Sequence, residues 1–130
     1  MIGDVLDAAT ESIATEIVDA IYTVHQEYGP GLLESVYEEA LCCELAGRGL
    51  KVVRQAVVPI FYKGRRLAGK LRLDILVADQ IIIEVKSVEQ VIQLFEAQLF
   101  TYLKLSDKRL GFLVNFNVRL IKQGITRIIR

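Results

Sequence analysis

LRLDILVADQIIIEVK, residues 71–86, is the stretch on which the reading of this chain turns. Ile81–Ile83 is a β-branched run suited to a buried strand, and Glu84 and Lys86 follow it directly. Strand side chains alternate, so Glu84 and Lys86 share one face while Ile83 and Val85 share the other. By the same alternation Leu71, Leu73, Ile75 and Val77 are expected on one face, with Arg72 and Asp74 opposite. Register then decides the chemistry. A two-residue turn at Asp79-Gln80 sets Asp74 across from Val85. A three-residue turn, Ala78 to Gln80, sets Asp74 across from Glu84, two carboxylates within ~5 Å. Like charges that close call for a cation between them. Two oxygen ligands with room for water and phosphate suit Mg²⁺ or Mn²⁺. The plainer alternative is a surface salt bridge from Asp74 or Glu84 to Lys86.

Asp74 followed by Glu84-Val85-Lys86 resembles the signature of the PD-(D/E)XK nuclease superfamily. Gln98-Leu-Phe-Thr-Tyr102 is similar to the QxxxY motif of its RecB-like and Cas4-like members. Gly31-Leu-Leu-Glu34-Ser-Val-Tyr37 reads as GxxExxY, the motif of the GxxExxY family of that superfamily. The likeness runs from about His25 to Arg127. One departure is Leu73 where the superfamily signature has proline; only the following acid has a chemical role.

The resemblance implies a restriction-endonuclease-like core, α/β or α+β, with a mixed sheet flanked by helices. It implies a metal-dependent nuclease acting on DNA, with RNA second. Asp74, Glu84, Glu34 and the main-chain carbonyl of Val85 would hold Mg²⁺ or Mn²⁺. Lys86 would orient or deprotonate the attacking water, and Gln98 and Tyr102 would position the lysine, the ligands or the phosphate. RecB-like relatives often use an upstream histidine as a ligand. For His25, the only histidine, a structural hydrogen bond at a helix end is the preferred reading.

The bounds agree with one domain, residues 1–130. A chain 52% hydrophobic and 25% charged is of ordinary globular composition. No apolar run reaches the ~20 residues of a membrane span, and the acidic start lacks a signal peptide's basic region. Cys42 and Cys43 are adjacent on a helix and poorly placed to bond to each other. A cytoplasmic, reduced protein is expected.

Net charge is zero, yet its distribution is lopsided. Residues 1–47 hold ten acids and no lysine or arginine; all 16 basic residues follow, with 6 acids. Either the acidic helices dock on the basic remainder, or one face is reserved for a polyanion. The densest positive cluster is Lys63, Arg65, Arg66, Lys70 and Arg72, read as phosphate contacts beside the site or as a solvated hairpin tip.

Along the chain, an apolar stripe predicts a helix over 4–27, ended by Gly29-Pro30-Gly31. A second helix is expected from Leu32 to Gly47 with Leu33, Tyr37, Ala40, Leu41 and Leu45 inward, Glu34 at the stripe's border, and Glu38 and Glu39 solvated. Strands are expected at 52–54, 57–62, 67–77 and 81–86, with Pro59 marking an edge. A helix over 90–105 is expected to bury Val91, Leu94, Phe95, Gln98, Tyr102 and Leu105. A strand at 109–116 follows, then a hairpin or edge from 118–122 and 125–129.

Two other classes fit the same residues: a nucleic-acid-binding module that keeps the fold without cleaving, and a protein-interaction domain in a larger defence or repair assembly. A homo-oligomer is open to such a chain; a membrane partner is not expected.

Overall fold

The computed structural model describes residues 6–130. Helix α1 (Ala8–Tyr28) and helix α2 (Glu34–Gly47) precede strands β1 (Val52–Tyr62), β2 (Arg65–Val77) and β3 (Ile81–Lys86). Helix α3 (Gln93–Ser106), strand β4 (Leu110–Asn115), a 3₁₀ turn (Ile121–Gly124) and strand β5 (Ile125–Ile129) complete the chain. The sheet order is β1-β2-β3-β4-β5. Only β3 and β4 run parallel; the other neighbours are antiparallel. A parallel pair needs a crossover, and α3 supplies it. This is the mixed α/β architecture expected from the sequence.

Asp7 caps α1 by accepting the Thr10 N–H at 2.7 Å. Residues 4 and 5, where the helix was expected to begin, lie outside the described residues. Gly29, at φ 64°, ends it.

Each strand alternates between two hydrophobic clusters on opposite sides of the sheet. Ile81, Ile83 and Val85, with Leu110, Phe112 and Val114, face Ile17, Ile21, Tyr37 and Leu41 of α1 and α2. Ile82 and Leu113 face Leu99 and Leu103 of α3. The expected single face for Leu71, Leu73, Ile75 and Val77 does not hold. Leu71 and Leu73 pack on the α3 side, Ile75 and Val77 on the α1–α2 side. The change falls at Asp74. Across from it, between the pairs Arg54↔Ile75 and Ala56↔Leu73, stands Gln55 in the left-handed region at φ 54°. One such residue kinks the β1–β2 ribbon and reverses its alternation.

Other boundaries differ too. Residues 52–54 and 57–62 form one strand, because the kink at Gln55 does not break the pairing with β2. Residues 118–122 are not a strand; bends at 118–120 lead into the 3₁₀ turn, and of this segment only β5 joins the sheet, at its edge beside β4. Pro59 does lie on the edge strand β1. On α3 the buried face is Leu99 and Leu103, with Phe95 and Tyr102 at its border. Val91, Leu94 and Leu105 are exposed. The helix starts three residues later than expected and lies on the sheet through a different stripe, one whose leucines meet Ile82 and Leu113. Leu33 is likewise exposed, since it precedes α2 rather than lying within it.

The docking reading of the charge asymmetry holds for part of the basic residues. Arg54 on β1 pairs with Glu38 of α2, and Arg127 on β5 with Glu11 of α1, so acidic helices dock on basic strands, while Arg48 at the end of α2 bridges Glu16 and Asp19 of α1 and Glu44. The 63–72 cluster is outside this network: among the described residues none of its five cations has an ion-pair partner.

Candidate active site

The turn from Ala78 to Gln80 has three residues. Ala78 and Asp79 are left-handed, at φ 53° and 56°, and the Gln80 N–H donates to Val77 O at 3.0 Å. The ladder that follows pairs Val77 with Ile81, Leu76 with Ile82 and Ile75 with Ile83. The next step brings Asp74 level with Glu84, and there main-chain pairing stops. The Asp74 N–H donates to Glu84 Oε2 at 2.9 Å, and the Val85 N–H donates to Asp74 Oδ2 at 2.9 Å. The two carboxylates thus stand crossed in the fork where β2 leaves β3. In a strand a residue's N–H and C=O point to the same side, so the Val85 carbonyl faces the same fork.

The fork is short of positive charge. Burial, then the neighbouring Asp74 carboxylate, pushes Glu84 up to about 8. Burial also raises Asp74, and the charges of Glu38 and Glu34 act in the same direction. The N–H of Val85 and the ammonium of Lys86 pull Asp74 down without cancelling the rise. Lys86 itself is half-buried, its Nζ 4.4 Å from the centroid of the Phe95 ring on the α3 side.

Helix α3 brings Gln98 and Tyr102, one turn apart, to the same border, both half-buried. Burial, then Glu84 and Asp74, raises the Tyr102 phenol, so its hydroxyl feels both carboxylates. A half-buried Gln98 can be hydrated, and needs no protein partner to satisfy its amide.

Helix α2 approaches from the other side. The Tyr37 hydroxyl donates to Gly29 O and accepts the Leu32 N–H at 3.1 Å, while its ring stacks on Phe116 with centroids 4.5 Å apart. Gly31 sits at φ 102°, which favours glycine. The next link is Ser87, whose hydroxyl donates to Leu32 O at 2.7 Å. The Gly31–Tyr37 segment is thereby fastened to the residue after Lys86. Glu34 is exposed on the first turn of α2, near enough for its charge to act on Asp74.

Glu38 is a correction to the sequence reading. It is buried, not solvated, and accepts from Arg54 Nε at 2.6 Å and from Gln55 Nε2 at 3.0 and 3.1 Å. Its charge acts on both Asp74 and Glu84. The signal was present: Glu38 is four residues after Glu34 and three before the core Leu41, so it lies on an inward face. Asn115 was also missed. It pairs with Lys86 across the β3–β4 ladder, donates to Val88 O at 3.0 Å and accepts the Val88 N–H at 3.1 Å. It therefore fixes the chain leaving β3. His25 lies at the far end of α1, its Nε2 2.7 Å from Val118 O.

Among the described residues no three His, Cys, Asp or Glu side chains are grouped to hold an ion by themselves. Mg²⁺ does not require such a cage: it is usually held by one or two carboxylates and completes its shell with water and phosphate oxygens. Two crossed carboxylates, one raised to about 8 by burial and then by the charge of the other, fit that donor set.

With this geometry in place, a family model brings the comparison. The PD-(D/E)XK nuclease superfamily matches residues 11–128, and the chain belongs to it. That superfamily consists in general of hydrolytic nucleases that work with divalent ions such as Mg²⁺ or Mn²⁺. No curated protein and no solved structure matches the chain. No helix among the described residues is long and apolar enough to cross a membrane.

Proposed function

We propose that residues 1–130 form one nuclease domain that hydrolyses phosphodiester bonds of DNA, with RNA as the alternative substrate, and that it belongs to the GxxExxY group of its superfamily. The observation that carries this reading is the crossing of Asp74 and Glu84 in the β2–β3 fork, with Lys86 two residues along the same strand. Asp74, Glu84 and the Val85 carbonyl, with Glu34 from α2, would hold Mg²⁺ or Mn²⁺. Such an ion, when bound, polarises the scissile phosphate and lowers the pKa of water. Lys86 orients the attacking water or takes its proton, and its charge offsets the negative charge that develops on the phosphate. The Phe95 ring beside the ammonium limits the freedom of the lysine side chain. Gln98 and Tyr102 hold the phosphate or the lysine from the α3 side. Lys63, Arg65, Arg66, Lys70 and Arg72 bind the backbone of the nucleic acid, and the protein works in the cytoplasm.

The test is to incubate purified protein with linear, circular, single- and double-stranded DNA and with RNA, in Mn²⁺ or Mg²⁺ and in EDTA. Cleavage that needs the metal and disappears in Asp74→Ala is expected. Binding without cleavage under every condition would replace the enzyme with a non-cleaving module.

A further inference from the structure

Beyond Leu71 the β1–β2 ribbon leaves the body of the fold: β3 pairs with β2 only through residues 75–77, and Leu71 and Leu73 are the last residues of β2 packed against α3. From Leu73 to the turn at Lys63-Gly64 the ribbon extends roughly 25 Å. Arg65–Lys70 are six consecutive exposed residues, so both faces of the distal strand meet solvent. Two-stranded ribbons without a covered face are marginal in water. This one also carries exposed rings at its tip: Phe61 is 57% exposed and Tyr62 60%.

The cross-strand pairs define what the tip offers. Phe61 lies opposite Arg66 and Tyr62 opposite Arg65. Opposite residues in an antiparallel pair point the same way, and successive ones point to opposite faces. Each face of the tip therefore presents one aromatic ring beside one guanidinium. Lys63 adds its ammonium 5.4 Å from the centroid of the Tyr62 ring. Between Val52 and Leu73 there is no acidic residue at all, while Arg54, Lys63, Arg65, Arg66, Lys70 and Arg72 are basic. Among the described residues, only Arg54 of these has an ion-pair partner, Glu38.

Cations alone would serve a duplex, whose bases stack on one another and offer no ring faces. Rings more than half exposed in their own fold, set beside guanidinium groups with no ion-pair partner among the described residues, match a strand whose bases are free to stack. We infer that the ribbon tip binds an unpaired nucleic-acid strand, Phe61 and Tyr62 stacking on bases while Arg65, Arg66 and Lys63 hold the flanking phosphates. This deepens the nuclease reading and rests on it: the substrate brought to Asp74 and Glu84 is single-stranded, or has a single-stranded segment.

The chain has no tryptophan, so Tyr62→Trp places the only tryptophan at the tip, where it can be excited selectively over the remaining tyrosines. In Ca²⁺, to suppress cleavage, an oligothymidylate should quench it strongly, and a blunt duplex of equal length should quench it weakly. Phe61→Ala/Tyr62→Ala should weaken single-strand binding by anisotropy about tenfold or more, with duplex affinity little changed; circular dichroism checks that the double variant is folded. Equal quenching by the duplex, or unchanged single-strand affinity in the double variant, overturns the inference. A change in oligomeric state on gel filtration without a change in nucleic-acid binding also overturns it, and assigns the tip to a second copy of the chain. Cleavage by the unaltered protein in Mn²⁺ is scored separately. Cleavage with no dependence on the tip leaves the nuclease and removes this inference; tip-dependent binding with no cleavage does the reverse.

Discussion

Asp74 donates its amide N–H to the carboxylate of Glu84, so the strand that carries the first acid is fastened by the second. The Asp74 carboxylate in turn accepts the amide of Val85. These two bonds stand where the β2–β3 ladder would have continued. The fork is held open by the same side chains that are proposed to hold a cation in it, which couples site geometry to the protonation of both acids.

That coupling sets a metal prediction. Mn²⁺ should bind measurably by calorimetry, and Asp74→Ala and Glu84→Ala should each abolish the heat. Retained binding in both variants would remove the shared site.

A pH prediction follows from Glu84. Its usual value of 4.5 is raised to about 8 in the fold. A raised acid favours the folded state when protonated: the stabilisation is full below 4.5 and is lost as pH climbs through about 8. The metal-free protein should therefore lose stability relative to Glu84→Gln across this window, by on the order of a few kcal/mol. Glutamine keeps an oxygen for the Asp74 N–H and cannot ionise. Thermal melts in EDTA at pH 5 to 9 read the difference, and parallel curves would show that Glu84 ionises as an ordinary surface glutamate does.

Lys86→Ala separates binding from chemistry. It removes the ammonium near the fork but no oxygen ligand, so most cleavage should be lost while Mn²⁺ still binds. A folded variant that has lost its metal affinity would show that the lysine supports the ligands rather than the water.

Arg54→Ala should cost about 1–3 kcal/mol in urea unfolding, because it strips the charge partner from buried Glu38. The half-exposed arginine keeps the figure below that of a fully buried pair. Adding Glu38→Gln to Arg54→Ala should recover part of the loss. No recovery would mean that the arginine acts by packing.

The basic cluster has a signature of its own. Arg65→Ala/Arg66→Ala should flatten the slope of log affinity against log salt by roughly 1.4 units on a single strand. Metal affinity should barely move. An unchanged slope would return the cluster to a solvated tip.

Two possible registers were legible in residues 71–86 alone, and the left-handed residues Ala78 and Asp79 select between them. A three-residue turn fixes the pairing, pairing fixes which residues stand level, and Asp74 and Glu84 meet as the register requires. The motif order and the mixed sheet were legible for the same reason: they depend on spacing along the chain. Tertiary structure decided which way side chains face and what they meet. The reversal of the ribbon at Asp74 comes from one left-handed residue, Gln55, whose φ no alternation pattern reveals. The stripe of α3 was misjudged because its inward face is chosen by the sheet residues beneath it, Ile82 and Leu113. Glu38 is buried because Arg54 and Gln55 arrive from a strand 16 and 17 residues further on to satisfy it. A charge can be buried only where its partner has been brought to it, and that partner is placed by the fold, not by the local sequence.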